Sequence, residues 1–199
     1  ACDHYGIDLV GGDTTSSQTG MCISITVIGE ADEEDIVYRN TARENDLICV
    51  SGNLGAAYMG LQLLEREKVV FKENPHAQPD FSGYEYILER QLKPEARMDI
   101  IQLLKEKGIK PTAMMDVSDG LSSEVLHICH DSGLGCNIYE EKIPIDYQTF
   151  KMAEELNMNA TVCALSGGED YELLFTAPLD AYDKLITMEE ISIIGHTCA

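Results

Sequence analysis

Three short acidic loops carry the residues of this chain that could do chemistry. The first, residues 11–15, reads Gly-Gly-Asp-Thr-Thr, and the second, residues 116–120, reads Asp-Val-Ser-Asp-Gly. The third, residues 166–170, reads Ser-Gly-Gly-Glu-Asp and adds two more carboxylates. Glycine lets a backbone approach a ligand closely, and sets of oxygen ligands suit Mg²⁺. Loops of this composition favour a site that holds a phosphate group through metal ions.

The second loop has two interpretations. In an extended chain Asp116 and Ser118 point the same way, whereas Asp119 enters the N-terminus of a predicted helix. That N-terminus presents unpaired N–H groups and a partial positive charge, which favour phosphate. Ser and Asp are also preferred N-caps, so helix capping alone explains the same residues. Both interpretations stay open at this point.

The first loop is a weaker signal when it is taken alone. A glycine pair suits a tight turn, and a single Asp13 is more often a turn residue than a metal ligand. Two glycines, a carboxylate and two hydroxyls together suit a metal–phosphate cradle. Arg39, one of the few cations near this loop in the sequence, could neutralise a phosphate oxygen. Arg39 is equally well explained as a surface arginine in an acidic neighbourhood.

The charge of the chain excludes several classes of partner. Its 199 residues carry 35 Asp and Glu against 14 Lys and Arg, a formal net charge of -21. Such a balance repels nucleic acid and anionic membrane surfaces, and it leaves metal ions as the means of binding a phosphorylated substrate. The seven cysteines show no CxxC spacing, which predicts reduced thiols in a cytoplasmic protein. We see neither a signal peptide nor an apolar stretch of membrane-spanning length.

The positions of glycines and histidines exclude other common sites. There is no G-x-x-x-x-G-K-[ST] phosphate loop, and the Gly-Leu-Gly of residues 133–135 follows a helix instead of preceding one. His127 and His130 lie one helical turn apart and could bind a soft metal, but packed or surface histidines explain them better. No Ser/His/Asp or Cys/His arrangement is identified.

Alternating strands and helices after about residue 47 predict an α/β layer domain. An apolar segment and a segment of alternating apolar residues predict strands over residues 6–10 and 21–29. Further strands are predicted at residues 47–51, 114–117, 136–139, 171–176 and 191–195. Helices are predicted after residue 55 to about residue 64, and at residues 84–91, 94–107, 121–132, 147–156 and 179–188.

Three segments of the sequence resemble those of one protein family. They are residues 5–15 (YGIDLVGGDTT), residues 115–122 (MDVSDGLS) and residues 164–175 (ALSGGEDYELLF). In order and interval they resemble the thiamine-monophosphate kinase family, whose superfamily includes aminoimidazole ribonucleotide synthetase and selenophosphate synthetase. The third string favours the kinase over the other members.

The resemblance implies a two-domain subunit that forms a homodimer. Residues 1–46 would be the remainder of an N-terminal α+β domain for ATP and metal binding and for dimerisation. Residues 47–199 would be a C-terminal α/β domain. The implied reaction transfers the γ-phosphoryl group of ATP to thiamine monophosphate, with Mg²⁺ as cofactor, and gives thiamine diphosphate.

The resemblance also assigns roles to individual residues. Those implied as magnesium ligands are Asp13, Asp116 and Asp119. Those implied as nucleotide contacts are Gly12, Asp13, Arg39 and Ser118. Glu169 would contact the thiamine moiety, because a cationic thiazolium favours a carboxylate, and Asp170 and Thr14 are weaker candidates of that kind. No general base is implied, because the nucleophile is an ionised phosphate oxygen.

Parts of the family pattern are missing from this sequence. The acidic Gly-Asp-Asp loop and a further metal-binding aspartate would precede Ala1, and the aromatic residue that covers the substrate would follow Ala199. We therefore expect a piece of a longer protein that is inactive alone. The alternatives are an enzyme like aminoimidazole ribonucleotide synthetase, another ATP-dependent member of the superfamily, or a non-catalytic dimerisation or binding module.

Overall fold

The computed structural model describes residues 1–76 and 78–199. Its packing divides the chain into two compact units, Ala1–Ile36 and Val37–Ala199. The domain division predicted at residue 46 stays a prediction. No helix in the described ranges is both long enough and apolar enough to cross a bilayer.

The first unit, all of which is described, has little regular structure. Helix α1 spans Cys2–Tyr5, and a 3-10 turn spans Glu33–Asp35. The strands predicted over residues 6–10 and 21–29 are not formed, so that prediction is wrong. Their apolar side chains are exposed, for example Val10 (92%) and Ile28 (87%). A strand needs a neighbour for its N–H and C=O groups, and no segment of this unit supplies one.

The second unit is built on a five-stranded sheet. Its strands are β1 (Leu47–Ser51), β2 (Ala113–Val117), β3 (Gly135–Ile138), β4 (Glu172–Ala177) and β5 (Ile191–Cys198). Their order is β2-β4-β1-β5-β3, and every neighbouring pair is antiparallel. All five strands were predicted, with shifts at their ends.

Helices cover this sheet on both faces. The described α-helices of the unit are α2 (Ala56–Glu73), α3 (Glu85–Leu92), α4 (Met98–Glu106), α5 (Leu121–Ser132), α6 (Tyr147–Glu155), α7 (Ala160–Ser166) and α8 (Tyr182–Leu185). Short 3-10 turns span Glu140–Lys142 and Leu179–Ala181. The predicted α/β class is confirmed.

Strand β1 shows how the layers are held together, because it is buried on both faces. Ile48 and Val50 join the core cluster that contains the apolar face of α5. Leu47 and Cys49 point the other way, into a cluster with α4 and α8. A third cluster packs α2, α3, α6 and α7 together.

Helix α2 runs past its predicted end at about residue 64 to Glu73, and α8 is shorter than the helix predicted over residues 179–188. Two further differences have reasons visible in the structure. The helix predicted over residues 94–107 begins only at Met98, because Arg97 has non-helical backbone angles and its side chain turns to Glu172. Helix α7 was missed, although Asn159 caps it by accepting a hydrogen bond from the Val162 amide at 3.0 Å. A seven-residue helix offers too few positions for a periodic pattern to stand out.

The sheet brings three chain segments to one end. Strands β1 and β2 finish there and β4 begins there, because the register pairs Val50 with Leu174 and Val117 with Glu172. The second and third acidic loops therefore meet at this end of the sheet.

Candidate active site

The loop between β2 and α5 is not used to cap its helix. The N-cap of α5 is Gly120, with φ 119°, and no side chain caps this end. The capping interpretation of Ser118 and Asp119 is therefore wrong. Instead the Asp119 amide donates to Oε1 of buried Glu124 at 3.0 Å, and the side chains of Asp116 and Asp119 are exposed.

The third acidic loop is clasped to the second through backbone groups. The Glu169 amide donates to the Ser118 carbonyl at 2.7 Å, and the Tyr171 amide donates to the Val117 carbonyl at 2.8 Å. A side chain on Gly168 would place its Cβ only 2.7 Å from the Ser118 carbonyl oxygen. The second and third acidic loops therefore form one unit, here called the loop clasp (residues 116–120 and 166–171).

Two residues of the loop clasp have strained backbone angles. Glu169 and Tyr171 lie in the left-handed region, with φ of 64° and 51°. Each such residue costs on the order of 1–2 kcal/mol, so surrounding interactions must hold it. The bond from Tyr171 Oη to Glu169 Oε2, at 2.9 Å, ties the two side chains together. Strain of this kind is found most often where a side chain must be presented in a fixed position.

The electrostatics of the loop clasp are strongly negative. The pKa of Tyr171 is raised, first by its hydrogen bond to Glu169, then by burial and by the charges of Glu169, Asp116 and Asp119. The three carboxylates therefore act on one phenol. Such a concentration of negative charge suits a metal ion or a cationic ligand.

Asp170 has turned away from these carboxylates and is buried. It accepts hydrogen bonds from the Gly55 amide at 2.6 Å and the Ala57 amide at 3.1 Å, at the N-terminus of α2. Burial raises its pKa to about 6, against the opposing effects of these amides and of Arg90. A protein carboxylate thus occupies the helix N-terminus, where the backbone N–H groups of other proteins often bind a phosphate.

Arg39 lies at the other end of α5 from the second loop. Its Nε binds Asp131 Oδ2 at 2.9 Å, and Asp131 is in the last turn of the helix. A helix of 12 residues is about 18 Å long. Within the second unit, the structure therefore does not bring Arg39 together with Ser118.

The residues predicted in the first unit lie in exposed chain. Asp13 Oδ1 accepts a hydrogen bond from the Thr14 amide at 2.9 Å, which is an ordinary local turn contact. No atom lies within 4 Å of the Cβ position of Gly12. The ligand roles predicted for both stay predictions.

The donors of the second loop fit magnesium. Asp116 and Asp119 form no salt bridge with any cation in residues 1–76 and 78–199, so their oxygens are free to bind. Over the same residues no group of three or more His, Cys, Asp or Glu side chains could hold a metal ion. Mg²⁺ is commonly bound by one or two carboxylates, with waters and substrate phosphates completing its coordination.

Sequence reasoning missed several residues that support this site. Tyr171, Glu124, Arg90 and Glu172 were assigned no role, yet each contacts the loop clasp or the residues that flank it. A buried acidic residue two positions after the Glu-Asp pair was a usable signal, because Glu172 lies in an otherwise apolar strand.

Comparison with known proteins gives consistent matches. A family model described as AIR synthase related protein, C-terminal domain, matches residues 43–195. A thiamine-monophosphate kinase of Aquifex aeolicus is 35% identical over 191 residues, which are 96% of this chain and 58% of the relative. One of Bacillus subtilis is 33% identical over 195 residues, 98% of this chain and 53% of the relative. This chain spans little more than half the length of these relatives.

Solved structures give the same result. AaThiL complexed with AMPPCP and TMP matches with a TM-score of 0.68 and 33% identity, over 81% of this chain and 48% of that chain. Thiamine-monophosphate kinase from Stenotrophomonas maltophilia K279a matches with a TM-score of 0.71 and 29% identity, over 84% and 52% of the two chains. Escherichia coli HypE, a hydrogenase maturation protein, has a TM-score of 0.58 at 18% identity over 81% and 46%, which supports the fold alone.

The resemblance to thiamine-monophosphate kinases is thus confirmed by relatives that align with nearly the whole chain. The family match begins just before β1 and ends within β5, so it includes the loop clasp and most of the sheet. This chain belongs to the family of AIR synthase related proteins, through their C-terminal domain.

Proposed function

We propose that this chain is the greater part of a thiamine-monophosphate kinase, which transfers the γ-phosphoryl group of ATP directly to thiamine monophosphate. The observation that carries the proposal is the loop clasp, in which strained Glu169 is bonded through its amide to Ser118. The relatives named as this kinase, and the AaThiL complex with the ATP analogue AMPPCP and TMP, support the same activity.

Asp116 and Asp119 would hold Mg²⁺, and the magnesium role predicted for Asp13 stays part of the proposal. When bound, the ion neutralises phosphate charge and aligns the attacking and leaving oxygens. The exposure of both carboxylates, and their lack of salt bridges within the described residues, support this role. The bond from the Asp119 amide to Glu124 fixes the backbone from which the Asp119 carboxylate extends.

Glu169 would bind the positively charged thiazolium ring of the substrate. Tyr171 donates to Glu169 Oε2 and so restricts the rotamers of that carboxylate. Ser118 would contact the nucleotide. The nucleotide roles predicted for Gly12, Asp13 and Arg39 stay part of the proposal, with Arg39 at the opposite end of α5 from Ser118. The Ser118 carbonyl accepts from the Glu169 amide, so the nucleotide contact and the thiamine contact share one hydrogen bond.

No side chain is needed as a general base. The attacking oxygen belongs to a phosphate monoester, whose second pKa is about 6, so it is already ionised at neutral pH. The chain would contribute by positioning two anions and excluding other acceptors. Its excess of carboxylates over cations accords with holding those anions through metal ions.

The proposal also includes the assembly and the location of the enzyme. The full-length protein would be a cytoplasmic homodimer in thiamine diphosphate biosynthesis. The exposed apolar side chains of residues 6–10 and 21–29 are of the kind that a partner surface covers. Residues 1–199 alone would give no turnover, because the family's upstream acidic loop is not among them.

The proposal is tested by phosphoryl transfer in the full-length protein. Thiamine diphosphate and ADP should form in equal amounts from thiamine monophosphate and ATP. ADP should not form when the acceptors of the other superfamily enzymes replace thiamine monophosphate. Asp119→Asn should lower kcat/KM by about 10²–10³, the loss typical of one transition-state charge contact. Asp180→Asn, at an exposed 3-10 turn, is the matched control and should leave the rate unchanged. Equal rates for both variants, or no thiamine diphosphate from the wild type, would contradict the proposal.

A further inference from the structure

A buried ionic cluster lies behind the loop clasp. Glu172, the first residue of β4, is 1% exposed. Its Oε1 binds Arg90 Nη2 at 2.9 Å, and its Oε2 binds Arg97 Nη1. The Ser51 hydroxyl, at the end of β1, donates to Oε2 at 2.5 Å. These four residues are here called the Glu172 cluster.

The Glu172 cluster ties two neighbouring strands, β1 and β4, to α3 and to the start of α4. Ser51 ends β1, Arg90 lies in α3, Arg97 precedes α4 and Glu172 begins β4. Arg97 also binds Asp99 through two hydrogen bonds, of 3.0 Å and 2.8 Å, so its charge is balanced on two sides. Burying such charges is expensive unless every partner is present, so loss of one member leaves the others uncompensated.

The Glu172 cluster fixes the chain on both sides of Tyr171. On one side Arg90 Nη2 donates to the Asp170 carbonyl at 2.6 Å. On the other side the Leu173 amide donates to Ser51 Oγ at 2.9 Å. Gly52 lies so close to Glu172 that any side chain there would overlap its carboxylate. The strained angles of Glu169 and Tyr171 are therefore held from the cluster as well as from the second loop.

We propose that Arg90 and Arg97, held by Glu172, are positioning residues that set the affinity for the thiamine moiety by keeping the Glu169 loop in its strained form. This inference rests on the proposed function, since it assigns a substrate to Glu169. Neither arginine is a catalytic residue, because both act through backbone and carboxylate groups of the protein.

A purely structural role makes a different prediction from a positioning role. A structural role lowers the free energy of unfolding and affects both substrates alike. A positioning role raises KM for thiamine monophosphate and leaves KM for ATP and kcat nearly unchanged. Asp46 provides a matched control, because it is a buried carboxylate just before β1, at the opposite end from Ser51. It accepts from the Arg43 amide at 2.8 Å and from Thr112 Oγ1 at 2.5 Å.

The experiment compares Arg90→Ala, Arg97→Lys and Asp46→Asn in the full-length protein. Arg90→Ala should raise KM for thiamine monophosphate about tenfold, the factor expected for one lost charge-assisted hydrogen bond, with KM for ATP changing less than about twofold. Arg97→Lys keeps the charge and should raise KM for thiamine monophosphate by less than Arg90→Ala does. Asp46→Asn should lower the urea midpoint without changing either KM. Two results would overturn the inference. One is that Arg90→Ala changes KM for ATP as much as KM for thiamine monophosphate, and the other is that Asp46→Asn raises KM for thiamine monophosphate as much as Arg90→Ala does.

Amide hydrogen exchange separates this inference from the proposed function. The amides of Glu169 and Tyr171, which donate to the second loop, should exchange at least about tenfold faster in Arg90→Ala than in Asp46→Asn. Unchanged exchange at these two amides would overturn the positioning role even in an active enzyme. Faster exchange in a protein that makes no thiamine diphosphate would support the positioning and reject the kinase.

Discussion

The acidic loops of the two units share glycine and aspartate but have opposite surroundings. Residues 11–15 lie in exposed chain, and no atom lies within 4 Å of the Cβ positions of their glycines. Residues 116–120 and 166–171 are joined by backbone hydrogen bonds and backed by buried charges. Glycine and aspartate thus give a loop its chemistry, while its shape depends on neighbours distant in the sequence. Three changes test this difference, from the largest expected effect to the smallest.

Matched glycine substitutions should give the largest contrast. Gly120→Ala forces a side chain into φ 119° and places Cβ 2.8 Å from the Leu165 carbonyl oxygen, so it should lower the free energy of unfolding by about 2–4 kcal/mol. The Cβ that Gly12→Ala adds has no residue within 4 Å beyond its chain neighbours, so this variant should change the free energy of unfolding by less than about 0.5 kcal/mol. Urea unfolding of both variants measures the contrast. Similar losses in the free energy of unfolding at the two positions would mean that neighbouring residues hold both loops equally.

Asp170→Asn should alter the pH dependence of stability. The folded pKa of Asp170, about 6, lies above its ordinary value of 3.8, so the protonated form is favoured in the folded state. Its contribution to stability is present below about pH 4 and is lost as the pH rises through 6. The wild type should therefore lose stability relative to Asp170→Asn between pH 4 and pH 7, by at most about 3 kcal/mol.

The control for this pH effect is the same titration in Asp180→Asn, which is exposed and should follow the wild type. Arg90 and Glu172 face Asp170 in the wild type and in Asp170→Asn, so their contributions cancel in the difference. A difference between Asp170→Asn and the wild type that stays constant from pH 4 to pH 7 would contradict the prediction.

Tyr171→Phe should give the smallest effect. It removes the hydrogen bond to Glu169 but keeps the ring and the backbone clasp. We expect KM for thiamine monophosphate to rise by about threefold to tenfold, the range of one ordinary hydrogen bond, with kcat little changed. A kcat that falls with KM unchanged would indicate that Tyr171 acts in the reaction itself.

Local pattern was sufficient for much of the second unit. Strand β1 and helix α5 occupy the residues predicted for them, because their apolar residues match the faces they bury. The same reasoning failed over residues 21–29, where alternation is present but a pairing strand is not. Periodicity describes which face a strand would bury, and says nothing of whether a neighbour exists.

The site was predictable in part for the same reason. Asp116, Ser118, Asp119 and Glu169 were predicted as site residues from short strings, since a loop's composition reports its chemistry, and the structure brings their two loops together. The residues that hold these loops in place could not be predicted from the sequence. Arg97 and Glu172 are 75 residues apart in the chain, and Arg90 and Asp170 are 80 residues apart. Such residues meet only when α3 and the residues before α4 pack against the start of β4.

The backbone hydrogen bond from Glu169 to Ser118 limits how the two loops can vary in length. An insertion in either loop would shift the Glu169 amide out of register with its acceptor, so length changes should survive only when both loops change together. Swapping one loop alone from a relative with another acceptor should therefore fail, whereas exchange of both loops together preserves the hydrogen bonds on which both depend.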